Sequence, residues 1–126
     1  MAILSSLLLT GLLPLVRAAT VTYDFNITWV IANPDNAFPR SVVGINNKWP
    51  IPSIEVTKGD QLIVNVENQL GNVSTGLHFH GLFQNGTNEM DGAVGVTQCP
   101  LKPNQRMTYN FTVSCHSSSL QMRLLT

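Results

Sequence analysis

The sequence has 126 residues, with seven lysines and arginines against seven aspartates and glutamates, and only 11% of its residues are charged. This length suits one domain, and a net charge of zero without a basic cluster excludes electrostatic binding of nucleic acid. The hydrophobic content of 44% suits a globular core, although part of it lies in one N-terminal run.

That N-terminal run, residues 2–16, is almost entirely apolar and is followed by Arg17 and two alanines. The pattern is typical of a signal peptide with a small-residue cleavage site, and it predicts that residues 1–18 are removed by cleavage after Ala18. The run is shorter than the roughly 20 residues that a membrane-spanning helix needs, and a retained anchor is the alternative. We therefore expect a secreted or cell-surface protein with no membrane span in the mature chain.

The mature chain alternates apolar and polar residues over several short segments. Five large apolar side chains between Val21 and Trp29 share one face of a predicted first strand. The same reasoning predicts strands over residues 41–45, 61–68 and 105–113, a further pairing segment over 55–57, and turns over 33–36, 46–47 and 58–60. Pro50 and Pro52 exclude a central strand position. Because no convincing amphipathic helix is present, the pattern predicts an antiparallel β-sandwich or barrel.

Four sequons agree with a secretory route and predict N-glycosylation of Asn26, Asn72, Asn85 and Asn110. Asn26 and Asn110 fall on the polar side of alternating strands, where a glycan leaves the core intact. Two cysteines, Cys99 and Cys115, are too few for a scaffold built on disulfides, so the fold must come from packing.

The residues that carry chemistry concentrate in Leu77-His78-Phe79-His80-Gly81. Residues two apart on a strand share a face, so both imidazoles project together while Phe79 points into the core. Imidazole binds copper, zinc, iron and nickel, so the pair selects no metal, and two surface histidines are the simpler interpretation of the triplet alone. A cupin site is excluded by spacing, because the first acid after the pair is Glu89. Asp91-Gly92 is itself typical of a turn with Gly92 at positive φ.

The surroundings of the pair are more specific. The segment HFHGLFQNGT at residues 78–87 is followed by Met90-Asp91-Gly92 and by TQCP at residues 97–100. Together with residues 49–60 and 109–113, these ordered motifs resemble the first copper-binding signature of the multicopper oxidases, the family of laccases, ascorbate oxidases and fungal iron-uptake ferroxidases. The amino-acid sequence of the motif, with Phe79 where laccases usually carry tryptophan, is more similar to that of the iron-transport branch.

This resemblance implies an all-β fold, a cupredoxin-like Greek-key β-sandwich over residues 19–113 that lacks its final strand or strands, with a divergent, flexible tail over 114–126. It implies that His78 is a type 2 copper ligand and His80 a type 3 copper ligand of a trinuclear cluster. In that family a blue copper takes electrons one at a time from ferrous iron or phenols, and the cluster reduces dioxygen to water. Family members often bridge a cysteine at the Cys99 position to another part of the oxidase, and Cys115 is the intrachain candidate here.

The resemblance ends after Val113, where the family's H-S-H signature is absent and the later blue-copper motif and remaining oxidase domains are missing. We therefore expect a truncated N-terminal plastocyanin-like domain of a secreted multicopper oxidase, inactive alone because an incomplete ligand set cannot enclose the cluster. His116 lies near the lost signature but does not reproduce its spacing. The alternative is a small secreted protein with a cupredoxin fold that binds copper or a partner without catalysis.

Overall fold

The computed structural model describes residues 18–114 and 121–125, and for the second range it describes the backbone. The regular secondary structure of the described residues is almost entirely β-strand. A short 3₁₀-helix, Asn88–Met90, interrupts the strands, which are β1 (Thr20–Ala32), β2 (Arg40–Ile45), β3 (Gln61–Asn68), β4 (Gly76–His80), β5 (Arg106–Thr112) and β6 (Gln121–Leu125). No helix in this part of the chain is long and apolar enough to cross a membrane.

The strands form two sheets that face each other. One sheet has the order β2-β1-β3-β5, in which β1 and β3 are parallel and the other neighbours antiparallel, and the other sheet pairs β4 with β6. The fully buried ring of Phe79 on β4 packs edge-on against Tyr109 and Phe111 on β5, with ring centroids 5.2 and 5.0 Å apart. The core therefore lies between the sheets, as in the predicted sandwich, but the parallel pairing of β1 with β3 differs from the expected antiparallel arrangement.

Period-two alternation produces the core on the long strands. In β3, Leu62, Val64 and Val66 are buried while their neighbours are more exposed, and in β5 Tyr109 and Phe111 are buried in the same way. Successive side chains on a strand point to opposite faces, so these segments cover one face of the sheet with apolar groups. The strands predicted over residues 61–68 and 105–113 are confirmed to within one residue at each end.

The alternation of β1 ends early. Ile27 and Thr28 are both buried, whereas Trp29, which was expected among the inward residues, is 42% exposed. Ile27 is the last residue of β1 that pairs with β3, and beyond it β1 pairs only with β2. The indole nitrogen of Trp29 donates a hydrogen bond to the carbonyl oxygen of Leu70 at 3.0 Å, so the ring covers a loop at the edge of the sheet.

Asn46 and Asn47 form the predicted reversal after β2. Both have positive φ, 52° and 60°, and Ile45 and Lys48 exchange backbone hydrogen bonds of 3.1 and 3.0 Å across them. Asparagine tolerates this left-handed conformation better than most residues, which makes two of them suitable for a two-residue hairpin loop.

Residues 55–57 do not form the expected strand. The N–H of Glu55 donates to the hydroxyl of Tyr23 at 3.1 Å, and the N–H of Thr57 donates to Oδ2 of Asp60 at 2.9 Å. Side chains therefore take the backbone donors that a sheet ladder would have used. The expectation of strand pairing here is wrong for that reason.

The expected flexible tail also differs from the structure, because residues 121–125 form β6. This strand pairs antiparallel with β4, and His78 lies opposite Arg123 and His80 opposite Gln121. An edge strand such as β4 presents unpaired backbone groups that a short segment can satisfy. A segment of five residues is too short for its hydrophobic periodicity to predict a strand.

Candidate metal centre

Strand β4 places the two histidines on one face and the core residues on the other. Leu77 and Phe79 are completely buried, whereas His78 is partly exposed and His80 exposed. The two imidazole rings have centroids 5.7 Å apart and planes inclined at 79°. The predicted arrangement, with both imidazoles together and Phe79 inward, is confirmed.

The backbone of Asp91 orients the first imidazole. Nδ1 of His78 lies 2.8 Å from the carbonyl oxygen of Asp91 and 3.4 Å from its carboxylate Oδ2. A carbonyl oxygen accepts hydrogen bonds and cannot donate them, so Nδ1 carries the hydrogen and the lone pair of neutral His78 lies on Nε2. A hydrogen bond of this kind is how proteins commonly fix a metal-binding histidine.

The same carbonyl oxygen also accepts the N–H of Phe79 at 3.1 Å, which draws the segment after the 3₁₀-helix alongside β4. Gly92 makes this approach feasible. Its φ is 80°, and a Cβ added there would overlap the carbonyl oxygen of Leu77. The predicted positive φ of Gly92 is thus confirmed, and the reason for glycine is backbone contact as well as turn geometry.

Two imidazoles supply part of a metal site. Their nitrogen donors suit copper as well as zinc, iron and nickel. Within residues 18–114 and 121–125, no group of three or more His, Cys, Asp or Glu side chains is placed to hold a metal ion. The two imidazoles therefore fit copper in the type of donor, but they do not form a complete coordination sphere by themselves.

The remaining predicted sites are the glycan acceptors and the cysteines. The four predicted glycan acceptors are all exposed: Asn26 on β1, Asn110 on β5, and Asn72 and Asn85 in turns. Cys99 is exposed as well. The residues Cys115 and His116 and the segment 1–17 fall outside the described part of the chain, so the expected disulfide and most of the expected signal peptide do too.

Sequence reasoning missed the buried amide of Asn68, which supports the approach to β4. Its Nδ2 donates to the carbonyl oxygens of Val73 and Leu101 at 2.8 and 2.9 Å, and its Oδ1 accepts the N–H of Leu70 at 3.0 Å. These bonds hold the loop that enters β4 against the loop that precedes β5. The period-two pattern placed Asn68 at a strand end and carried no signal for these contacts.

Comparison with known proteins gives one family. Residues 26–121 match the sequence profile of the family described as Multicopper oxidase. The iron transport multicopper oxidase fetC of Epichloe festucae is 66% identical over 99 residues, which are 79% of this chain and 16% of the relative. The iron transport multicopper oxidase FET3 of Saccharomyces cerevisiae is 44% identical over 108 residues, 86% of this chain and 17% of the relative.

Solved structures agree with the sequence matches. The crystal structure of Fet3p, described as a multicopper oxidase that functions in iron import, is 45% identical with a TM-score of 0.71, and the match covers 75% of this chain and 18% of that one. The laccase from Botrytis aclada is 38% identical with the same TM-score, over 76% of this chain and 18% of the laccase. This chain thus spans about a sixth of the length of the proteins that it resembles.

Proposed function

The chain belongs to the multicopper oxidase family, and on that premise we propose that it is the copper-binding N-terminal domain of a secreted iron-oxidising member, with His78 and His80 as copper ligands. The observation that carries the proposal is the orientation of His78. Its Nδ1 is engaged by the Asp91 carbonyl oxygen, which leaves Nε2 for a metal on the face that His80 shares. Copper, when bound, supplies one-electron chemistry for the reduction of dioxygen.

Ferrous iron is the proposed reductant rather than a phenol. The support is the naming of the relatives, because fetC of Epichloe festucae and FET3 of Saccharomyces cerevisiae are both iron transport multicopper oxidases at 66% and 44% identity. The laccase from Botrytis aclada is less similar, at 38%.

A graft into a relative tests the role of the histidines. Residues 19–113 of this chain replace the aligned segment of FET3 from Saccharomyces cerevisiae, and aerobic oxidation of ferrous iron is measured. We expect the chimera to be active and its His78→Ala and His80→Ala variants to be inactive while keeping the blue absorption band, which reports copper outside the graft. Variants that oxidise iron as fast as the unsubstituted chimera would exclude the ligand roles.

The 126-residue polypeptide by itself should bind copper weakly and should not catalyse the oxidation of iron or phenols. It holds three histidines, fewer than a trinuclear cluster and a blue copper require. We expect no oxygen-dependent oxidation of iron or phenols, no blue band, and copper binding that weakens in acid because imidazole must be deprotonated to bind metal. The His78→Ala/His80→Ala double variant should lose the bound copper, and His116→Ala is the matched control that keeps it.

The secretory part of the proposal is that residues 1–18 are a signal peptide and that the four exposed asparagines Asn26, Asn72, Asn85 and Asn110 carry glycans. Their exposure supports this, because an acceptor must be reached by the transferring enzyme. Expression in a eukaryotic host followed by N-terminal sequencing and mass spectrometry before and after deglycosylation tests both points. An intact Met1 with four unmodified asparagines would contradict them.

A further inference from the structure

Asp60 is a nearly buried acid at the point where three strand ends meet. Asp60 is only 8% exposed and lies in the turn just before β3. Its own carbonyl oxygen accepts the N–H of Val113 at 2.9 Å, and the neighbouring Gly59 N–H donates back to Val113 at 2.8 Å. The carboxylate thus lies between the start of β1, the start of β3 and the end of β5.

Both carboxylate oxygens of Asp60 are engaged by backbone donors. Oδ1 accepts the N–H of Ala19 at 2.9 Å, although the two residues are 41 positions apart, and Oδ2 accepts the N–H of Thr57 at 2.9 Å. These two hydrogen bonds hold the pKa of Asp60 below its usual range, and the bond from Ala19 has the larger effect. Asp60 is therefore ionised at neutral pH.

No side-chain cation neutralises this carboxylate in the part of the chain that the structure describes. The ion pairs there join Arg40 to Asp35 and Arg106 to Glu67, and the imidazole of His78 lies beside Asp91, not beside Asp60. The charged side chains nearest to Asp60 along the chain are Glu55 and Lys58, and both residues are exposed. Neutral backbone donors alone bind this carboxylate in the described chain, and a charged donor at the same place would bind it more strongly.

The predicted cleavage position supplies such a donor. We propose that removal of the signal peptide creates an ammonium group at Ala19 that forms an ion pair with Asp60, so that processing completes the charge balance of the folded domain. This inference rests on the proposed secretory processing. Cleavage adds water across the Ala18–Ala19 amide, which leaves a carboxylate on Ala18 and an amine on Ala19, and the amine takes up a proton.

Ala19 does not depend on the removed residues for its position. Its carbonyl oxygen accepts the N–H of Gln61 at 2.8 Å, and β1 begins at the next residue. The nitrogen that donates to Asp60 as an amide therefore stays in place when it becomes an ammonium. A charged donor makes a stronger hydrogen bond to a carboxylate than a neutral one does.

The fold also accounts for the position of the cleavage. Cleavage one residue later would remove Ala19 together with its bonds to Asp60 and Gln61. Cleavage one residue earlier would leave a neutral amide at Ala19 and move the charge by about 3.5 Å along the chain. The proposed ion pair forms only when the mature chain begins at Ala19.

The test is the pKa of the α-amine in the secreted chain. N-terminal sequencing first establishes the start, and the unmodified amine is then titrated in a chain labelled with 13C at alanine, by following the Ala19 Cβ resonance in NMR spectra. An unperturbed α-amine has a pKa of about 7.7–8.0. Because a nearby opposite charge favours the charged form, we expect a value of about 9 or above in the wild-type chain.

Two matched variants separate the ion pair from other effects. Asp60→Asn keeps an oxygen that accepts a hydrogen bond but removes the charge, and it should return the pKa of the amine to about 8. A chain released from a fusion protein so that it begins at Ala18 should also give about 8, and it remains informative if Asp60→Asn does not fold. Asp24→Asn, which removes an exposed acid from β1, should leave the high value unchanged.

Each outcome decides a different point. A chain that begins at Ala19 with an α-amine pKa near 8 overturns the ion pair while the secretory proposal stands. A chain that begins at any other residue overturns the proposed cleavage position and the ion pair together. A high pKa that survives in Asp60→Asn assigns the shift to another group and also overturns the inference.

Discussion

Truncating Phe79 should destabilise the domain strongly. Its side chain is completely buried between the sheets and contacts two further rings, those of Tyr109 and Phe111, at 5.2 and 5.0 Å. Replacing a buried phenylalanine by alanine typically costs about 3–5 kcal/mol, and each aromatic pair adds about 0.5–1.5 kcal/mol beyond area burial. We therefore expect Phe79→Ala to lower the free energy of unfolding by about 4–5 kcal/mol.

Phe83 provides the matched control on the loop that follows β4. It is the same residue type, only four positions further along, and it is 79% exposed. Substitutions of exposed side chains usually change stability by less than about 0.5 kcal/mol, so Phe83→Ala should unfold at nearly the wild-type urea concentration. The two variants differ only in where the lost ring was packed.

Urea unfolding followed by far-ultraviolet circular dichroism measures both variants. A pure stability change shifts the midpoint and leaves the slope constant. Since small domains are stable by only about 5–15 kcal/mol, Phe79→Ala can fail to fold. Phe79→Leu, expected to cost about 1–3 kcal/mol through the two lost aromatic pairs, then provides the measurement. Equal midpoints for the alanine variants of Phe79 and Phe83 would refute the assignment of Phe79 to the core.

Gly92→Ala should cost about 3 kcal/mol or more by urea unfolding, because the new Cβ overlaps the carbonyl oxygen of Leu77 and φ is positive. Gly95→Ala, with φ of 79° and open space around the added Cβ, should cost only about 1–2 kcal/mol, and equal losses would contradict the role of close approach. Tyr109→Phe should cost about 0.5–1.5 kcal/mol at neutral pH through the lost hydrogen bond to Gln98. Burial raises the pKa of Tyr109, so wild-type stability should fall as pH rises from the unfolded-state value of about 10 towards the higher folded-state value, and the decline should be shallower in the phenylalanine variant. An equally steep decline of both urea midpoints above that pH would contradict the burial effect.

Local alternation was sufficient to predict the strands that build the core. In β3 and β5 the side-chain period of two is repeated over several residues, and each position depends mainly on its immediate neighbours. The same rule predicts Phe79 inward and His78 and His80 together on the other face, as the structure has them. The family followed from the ordered motifs around that pair, and the match over residues 26–121 agrees with it.

Local alternation does not predict contacts between distant segments. The orientation of His78 depends on a carbonyl oxygen 13 residues away, and one of the hydrogen bonds to the Asp60 carboxylate comes from a backbone donor 41 residues away. Residues 55–57 have a strand-like pattern, yet the side chains of Tyr23 and Asp60 take their backbone donors.

One physical cause explains why the sequence predicts the strand faces but not the contacts between segments. Which face of a strand a side chain occupies is determined by the period of the backbone, so the sequence alone places Phe79 in the core and the two histidines outside it. The contacts of each side chain with distant residues are determined by the path of the chain between segments. The left-handed backbone at Gly92, for example, brings Asp91 to His78. Only the tertiary structure decides that path, because it depends on the packing of the whole domain.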